Sequence, residues 1–213
     1  MTRVKRSQRS VRAGLPLFLC VVCALPFLAG PAARSAAQTQ PPRYDGSWWL
    51  SLGGWEQYGS LSGYIDCYTN EYRGSVPFIK DVQFYSDALT QYFQSGAEKR
   101  QQTVSVALDA IRGAANDSAQ PAGAGGGGSG SAYDGRFWFD ADTAAQLGFL
   151  EGYIACHTAK LKDADAKFSK PPADYINPIN EAYGITDDSD DVDADKAPVR
   201  IADVLHRLKD SKP

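Results

Sequence analysis

Apolar and aromatic residues step by three and four through Tyr58, Leu61, Ile65, Tyr68 and Tyr72, the signature of one stripe along an α-helix. The same stepping returns through Leu147, Leu150, Ile154, His157 and Leu161. A second helix is predicted from about Asp81 to Phe93 through Val82, Tyr85, Leu89, Tyr92 and Phe93, with a shorter counterpart near Ile179 to Tyr183. A third runs from about Gln101 to Arg112 through Val104, Leu108 and Ile111, and returns from Val199 to Leu208. No alternating run is long enough for a strand. The pattern predicts an all-α protein of two tandem three-helix modules.

The modules read as copies of one another. "YDGSWWLSLGGWEQYGSLSGYIDCY", beginning at Tyr44, aligns without a gap to "YDGRFWFDADTAAQLGFLEGYIACH", beginning at Tyr133, with 11 identities in 25 positions. The first copy is taken as 44–112 and the second as 133–213, joined by a Gly/Ser/Ala-rich flexible linker over 113–132. A module of this size buries only a thin core. Two copies packed together as a pseudo-dimer is the arrangement such a duplication favours.

Residues kept in both copies are mostly aromatic, apolar or small. Asp45 and Asp134 sit in a Tyr-Asp-Gly turn, where Asp accepts backbone N–H groups. Trp49 and Trp138 follow as buried anchors. Gly59, Gly63 and Cys67, repeated as Gly148, Gly152 and Cys156, fall every fourth residue and so stack along one helix side. Glycine costs about 1 kcal/mol relative to alanine inside a helix, and close approach of another backbone would offset that. The contact could be copy against copy around a two-fold axis, or each helix against its own module. Cys67 and Cys156 would pair only if both lie near that axis. Otherwise they are two separate buried small hydrophobes.

The first 14 residues carry five basic side chains and no acid, an apolar run follows from Leu15 to Leu28, and small residues come next. This is the make-up of a cleavable secretory signal over 1–37, with the cut after Ala37. Cys20 and Cys23 would leave with it. The remaining 176 residues hold 16 Lys and Arg against 25 Asp and Glu, a net of −9, which argues against a nucleic-acid partner. No second stretch is apolar enough to span a membrane. A periplasmic or secreted protein is expected.

Catalytic and metal motifs are absent: there is no H-E-x-x-H, no G-x-S-x-G, no phosphate loop and no zinc spacing. Asp66, Glu71 and Asp140 each occur in one copy only, and His157 and His206 both lie in the second. His157 beside Cys156 invites a thiol–imidazole pair, but neighbouring helical residues point about 100° apart. "DDSDDVDAD" (187–195) invites a calcium reading through Asp188, Asp190 and Asp193, yet lacks a calcium loop's central glycine and final glutamate. No catalytic, cofactor or metal residue is therefore assigned. The alternative is an ion-binding or enzymatic protein centred on His157 and the acidic loop, or a purely structural envelope protein.

The first helix "GSLSGYIDC" and the later Tyr92-Phe93, Glu98 and Arg100, followed by Val104 to Ile111, resemble the Rap/Tai family of type VI secretion immunity proteins. The family's later pattern has a proline where this chain has Ala97, and usually a second cysteine per module that neither copy has. The resemblance implies a small exported helical protein that binds and blocks a cell-wall amidase effector. The family's single-module members act as dimers, which a duplication would mimic.

Overall fold

The computed structural model describes residues 44–117, 133–161 and 168–210, all within one compact unit. The expected signal peptide, and all of the expected linker but 113–117, lie outside them. Among the described residues the chain is helical and has no strand, only two isolated backbone bridges, Asp45 to Thr103 and Asp134 to Arg200.

Each Tyr-Asp-Gly turn launches a short helix rather than standing alone. Asp45 accepts the backbone N–H groups of Ser47 and Trp48, both at 3.0 Å, and caps α1 (Gly46–Ser51). Asp134 accepts from Arg136 and Phe137 in the same way to cap α6 (Gly135–Asp140). The long helices follow: α2 (Gly54–Asp66) and α7 (Thr143–Cys156). Each widens at its end into a π-helical turn, Cys67–Tyr72 and His157–Leu161. The first half continues with α3 (Val82–Gln94), the short α4 (Ala97–Arg100) and α5 (Val104–Asp117). The second continues through a 3₁₀ turn (Pro172–Tyr175) into α8 (Ile176–Tyr183) and ends with α9 (Ile201–Asp210).

Three details depart from the sequence pattern. The short α1, α4 and α6 add to the three helices expected per module, because Asp caps and single turns are invisible to a hydrophobic period. Helix α5 runs on to Asp117, so the linker cannot begin at Gly113. Ala115 is buried there and Asn116 Nδ2 donates to the Pro77 carbonyl at 3.1 Å, which holds the last turn against the first half. Finally, Tyr58 and Tyr72, placed on the core stripe, are exposed. The buried face instead carries Leu61, Tyr64, Cys67 and Tyr68.

The two halves build their cores alike. Trp49 is fully buried and its indole N–H donates to Thr90 Oγ1 at 3.1 Å; Trp138 is buried and donates to Asn180 Oδ1 at 2.7 Å. Gln57 donates a side-chain N–H to the Trp49 carbonyl and Gln146 to the Trp138 carbonyl, both at 3.0 Å.

Helices α2 and α7 meet backbone to backbone. A Cβ on Gly59 would fall on the carbonyl oxygen of Ala145, and one on Gly63 on that of Phe149. From the other side, a Cβ on Gly148 would strike the Glu56 carbonyl and one on Gly152 the Ser60 carbonyl. The contacts advance together along both chains, so the helices run parallel. Only glycine leaves room for this approach, which accounts for the spacing that otherwise works against a helix. At the end of the seam Cys67 and Cys156 form a disulfide with Cα atoms 6.1 Å apart, within the ordinary range. The pairing that the sequence left open is therefore made.

This seam generates two predictions. The disulfide closes a loop of 89 residues, which in the chain-entropy account stabilises by about 4–5 kcal/mol. Replacing both cysteines (Cys67→Ala with Cys156→Ala) should lower the melting temperature by roughly 10–15 °C, read by scanning calorimetry. Gly63→Ala should cost about 1–3 kcal/mol, because the new methyl meets backbone that must move. Gly113→Ala, with nothing within 4 Å of the added carbon, should be neutral or stabilise α5 by up to about 1 kcal/mol. Urea unfolding of the two variants compares them directly.

Candidate functional site

Helix α2 begins with a feature its counterpart lacks. Trp55 stands in its first turn with 66% of its surface exposed, and Tyr58 lies one turn on. Their rings meet edge to face with centroids 6.3 Å apart. The positions 89 residues later hold Ala144 and Leu147. Of the four tryptophans, Trp49 and Trp138 are core and Trp48 is half-buried, so Trp55 is the one turned outward.

The Trp55–Tyr58 ridge separates two open grooves that share it as a wall. One, of about 400 Å³, runs between α2 and the α6–α7 junction and is completed by Phe137, Asp140, Asp142 and Ala145. The other, of about 580 Å³, lies between α2 and α3 and is completed by Gln57, Gln83, Ser86, Asp87 and Thr90. Asp142 caps α7 by accepting from Ala145 N at 2.7 Å, and Glu56 accepts from Gly53 N at 2.7 Å at the start of α2. Neither groove has a Lys or Arg in its wall. The ridge thus presents an exposed tryptophan between two concave surfaces.

Farther along the seam, Glu151 of α7 has its carboxyl pushed up to about 7, first by burial and then by the charge of Glu56. Tyr44 is raised too, by burial and then by the nearness of Glu151.

The opposite end of the seam holds the ionic groups. Asp66, whose side chain is fully buried, accepts from Asn70 Nδ2 at 2.6 Å and from Arg200 Nη2 at 3.2 and 3.3 Å. Arg200 also reaches Glu71 at 3.4 Å, and His206 faces Glu71 at 3.8 Å while bonding the Tyr153 hydroxyl at 3.0 Å. Burial raises Asp66, and Arg200 is the first of the groups opposing that rise. In the pseudo-equivalent place Lys160 pairs with Asp109, which also holds Arg112, and the Arg112 guanidinium lies 4.0 Å from the Tyr68 ring centre. Arg200 thereby joins residues 129 and 134 positions away, and Lys160 one 51 away. Asp66 is fully buried, and through Arg200 the cluster ties the two halves together as a clasp.

The residues singled out from sequence fall in distinct places. Gly59, Gly63, Gly148 and Gly152 line the seam, Cys67 and Cys156 close it, Trp49 and Trp138 fill the two cores, and Asp45 and Asp134 cap α1 and α6. His157 is buried beside Phe168, with ring centroids 5.3 Å apart, and its neighbour Cys156 is committed to the disulfide. In the acidic loop, Asp193 pairs with Lys196 at 2.6 Å while Val192 and Ala197 turn inward. Among the described residues no three His, Cys, Asp or Glu side chains converge as a metal site would need, and no helix is long and apolar enough to cross a membrane. The exposed ridge escaped the sequence reading. Its signal was a tryptophan at a position where the other copy has alanine.

Glu151 sets a pH dependence with a definite sign. The folded protein holds a proton on this carboxyl between its ordinary value of 4.5 and about 7, where the unfolded chain does not. Its contribution to stability is therefore full below about 4.5 and is lost as pH rises through about 7. Glu151→Gln should unfold at higher urea than the wild type at pH 8, with the gap closing at pH 4.5. Comparison of this chain with protein-family models, with curated proteins and with solved structures finds no match.

Proposed function

We propose that this chain is an exported, non-enzymatic protein-binding module that acts as an immunity-like inhibitor, covering a cell-wall-targeting effector in the periplasm. The observation that carries the reading is the outward-facing Trp55, backed by Tyr58 and flanked by a groove on each side. Aromatic anchors of this kind supply large contact area at small entropic cost and dominate many interfaces. The resemblance of "GSLSGYIDC" and the Tyr92 to Arg100 segment to the Rap/Tai family supports the immunity role.

The same reading treats the chain as an internal pseudo-dimer of two duplicated modules. It is supported by equivalent groups at an offset of 89 making equivalent bonds, as Gln57 and Gln146 do, and by the parallel approach of α2 and α7. One copy keeps the ridge and the other has lost it. The duplication supplies a scaffold and a single copy supplies the binding face.

The test is capture of the natural partner by the mature protein, residues 38–213, from the periplasm of its own source. The recovered partner is then assayed for peptidoglycan hydrolysis with and without added protein. Trp55→Ala should weaken partner binding about 30-fold or more, as loss of an interface anchor does, and should relieve the inhibition without changing the circular dichroism. A partner bound equally by wild type and Trp55→Ala would sink this reading of the ridge.

A further inference from the structure

We infer that the Trp55–Tyr58 ridge docks a positively charged segment of the partner protein, with Lys or Arg side chains laid across the rings and their charges directed into the two flanking grooves. This rests on the protein-binding reading above and adds the chemistry of the partner.

The argument is charge complementarity. Because α2 and α7 run parallel, their N-termini open on the same face, and each carries a partial positive charge of about half a unit. That alone would repel a cation. Asp142 caps one N-terminus and Glu56 binds the backbone at the start of the other, and each contributes a full negative charge. The two helix ends are thus more than neutralised. Asp140 in one groove and Asp87 in the other then remain in excess, and no Lys or Arg lines either groove. Asp140 is also the last residue of α6, where the helix itself is partly negative.

The aromatic surface between these carboxylates suits the same ligand. A guanidinium or ammonium stacked on an exposed tryptophan face is held by the ring quadrupole, while its aliphatic stem covers the apolar surface. An acidic or neutral segment would gain the apolar contact alone. Acids on both sides of the ridge favour a segment with more than one cation beside its apolar residues.

The probe is the peptide acetyl-(Leu-Lys)₃-amide, titrated by calorimetry into the mature protein at low salt beside its Leu-Gln and Leu-Glu counterparts. The Lys peptide should bind at least tenfold more tightly than the Gln peptide, and the Glu peptide should not bind. Trp55→Ala, and separately Asp87→Asn with Asp140→Asn, should each weaken the Lys peptide at least tenfold. Its affinity should also fall as salt shortens the electrostatic range.

Equal, Trp55-dependent binding of the Lys and Gln peptides would overturn the charge assignment while leaving the ridge as an anchor. Lys-peptide binding that survives Trp55→Ala would overturn it as well, since it would report only the acidic surface. Failure of all three peptides, or a Trp55-dependent dimer in sedimentation, would also overturn it. The protein-binding reading is judged separately, by the natural partner and its response to Trp55→Ala.

Discussion

The contact on which the rest of the structure depends is the backbone approach of α2 to α7. Four glycines remove every Cβ that would hold the helices apart, at Gly59 and Gly63 on one and at Gly148 and Gly152 on the other. Each half alone has a single layer of small helices around one tryptophan, too thin to be secure. The seam gives the halves one continuous core, and the Cys67–Cys156 bond prevents the parallel helices from separating at their C-terminal end. Parallel packing has an electrostatic cost, since like helix ends lie side by side. Glu56 and Asp142 answer that cost at one end, and the Arg200 and Lys160 clasps cross the seam at the other.

Differences between the halves favour pairing of one with the other over pairing of like with like. Glu71 and Lys160 are equivalent positions at an offset of 89, and they reach His206 and Asp109 respectively across the seam. On the pseudo-dimer reading, two first halves joined together would set Glu71 against Asp109, like charges at close range. Two second halves would set Lys160 against His206. The covalent chain and the side chains thus specify the same partner, which guards against exchange between molecules.

Local rules carried much of this architecture in the sequence and failed where partners are distant. The α2 and α7 helices follow from steps of three and four, whereas the sequence left open whether Cys67 and Cys156 pair. Asp66 had no such signal. It has no counterpart at the position 89 residues later, yet it is fully buried against Arg200, 134 residues away. Tyr58 shows the converse: its spacing fits the core stripe, but the glycine face beside it turned inward and left the tyrosine exposed. Residues shared at an offset of 89 are the scaffold, and Trp55, which faces Ala144 in that alignment, is not among them. A residue that only one copy carries is invisible to a comparison of copies.

That blind spot has a physical meaning. The two halves can differ at a surface position, as Trp55 and Ala144 do, provided the seam between α2 and α7 remains. Trp55 begins the same helix that carries Gly59 and Gly63, and Ala145, whose carbonyl lies against Gly59, forms part of a groove wall. The disulfide and the glycine contact therefore fix the distance between the ridge and the acids of α6 and α7. An exposed surface held in this way has little conformational freedom left to lose. The helix that looked burdened with glycines is what makes an exposed tryptophan a rigid anchor.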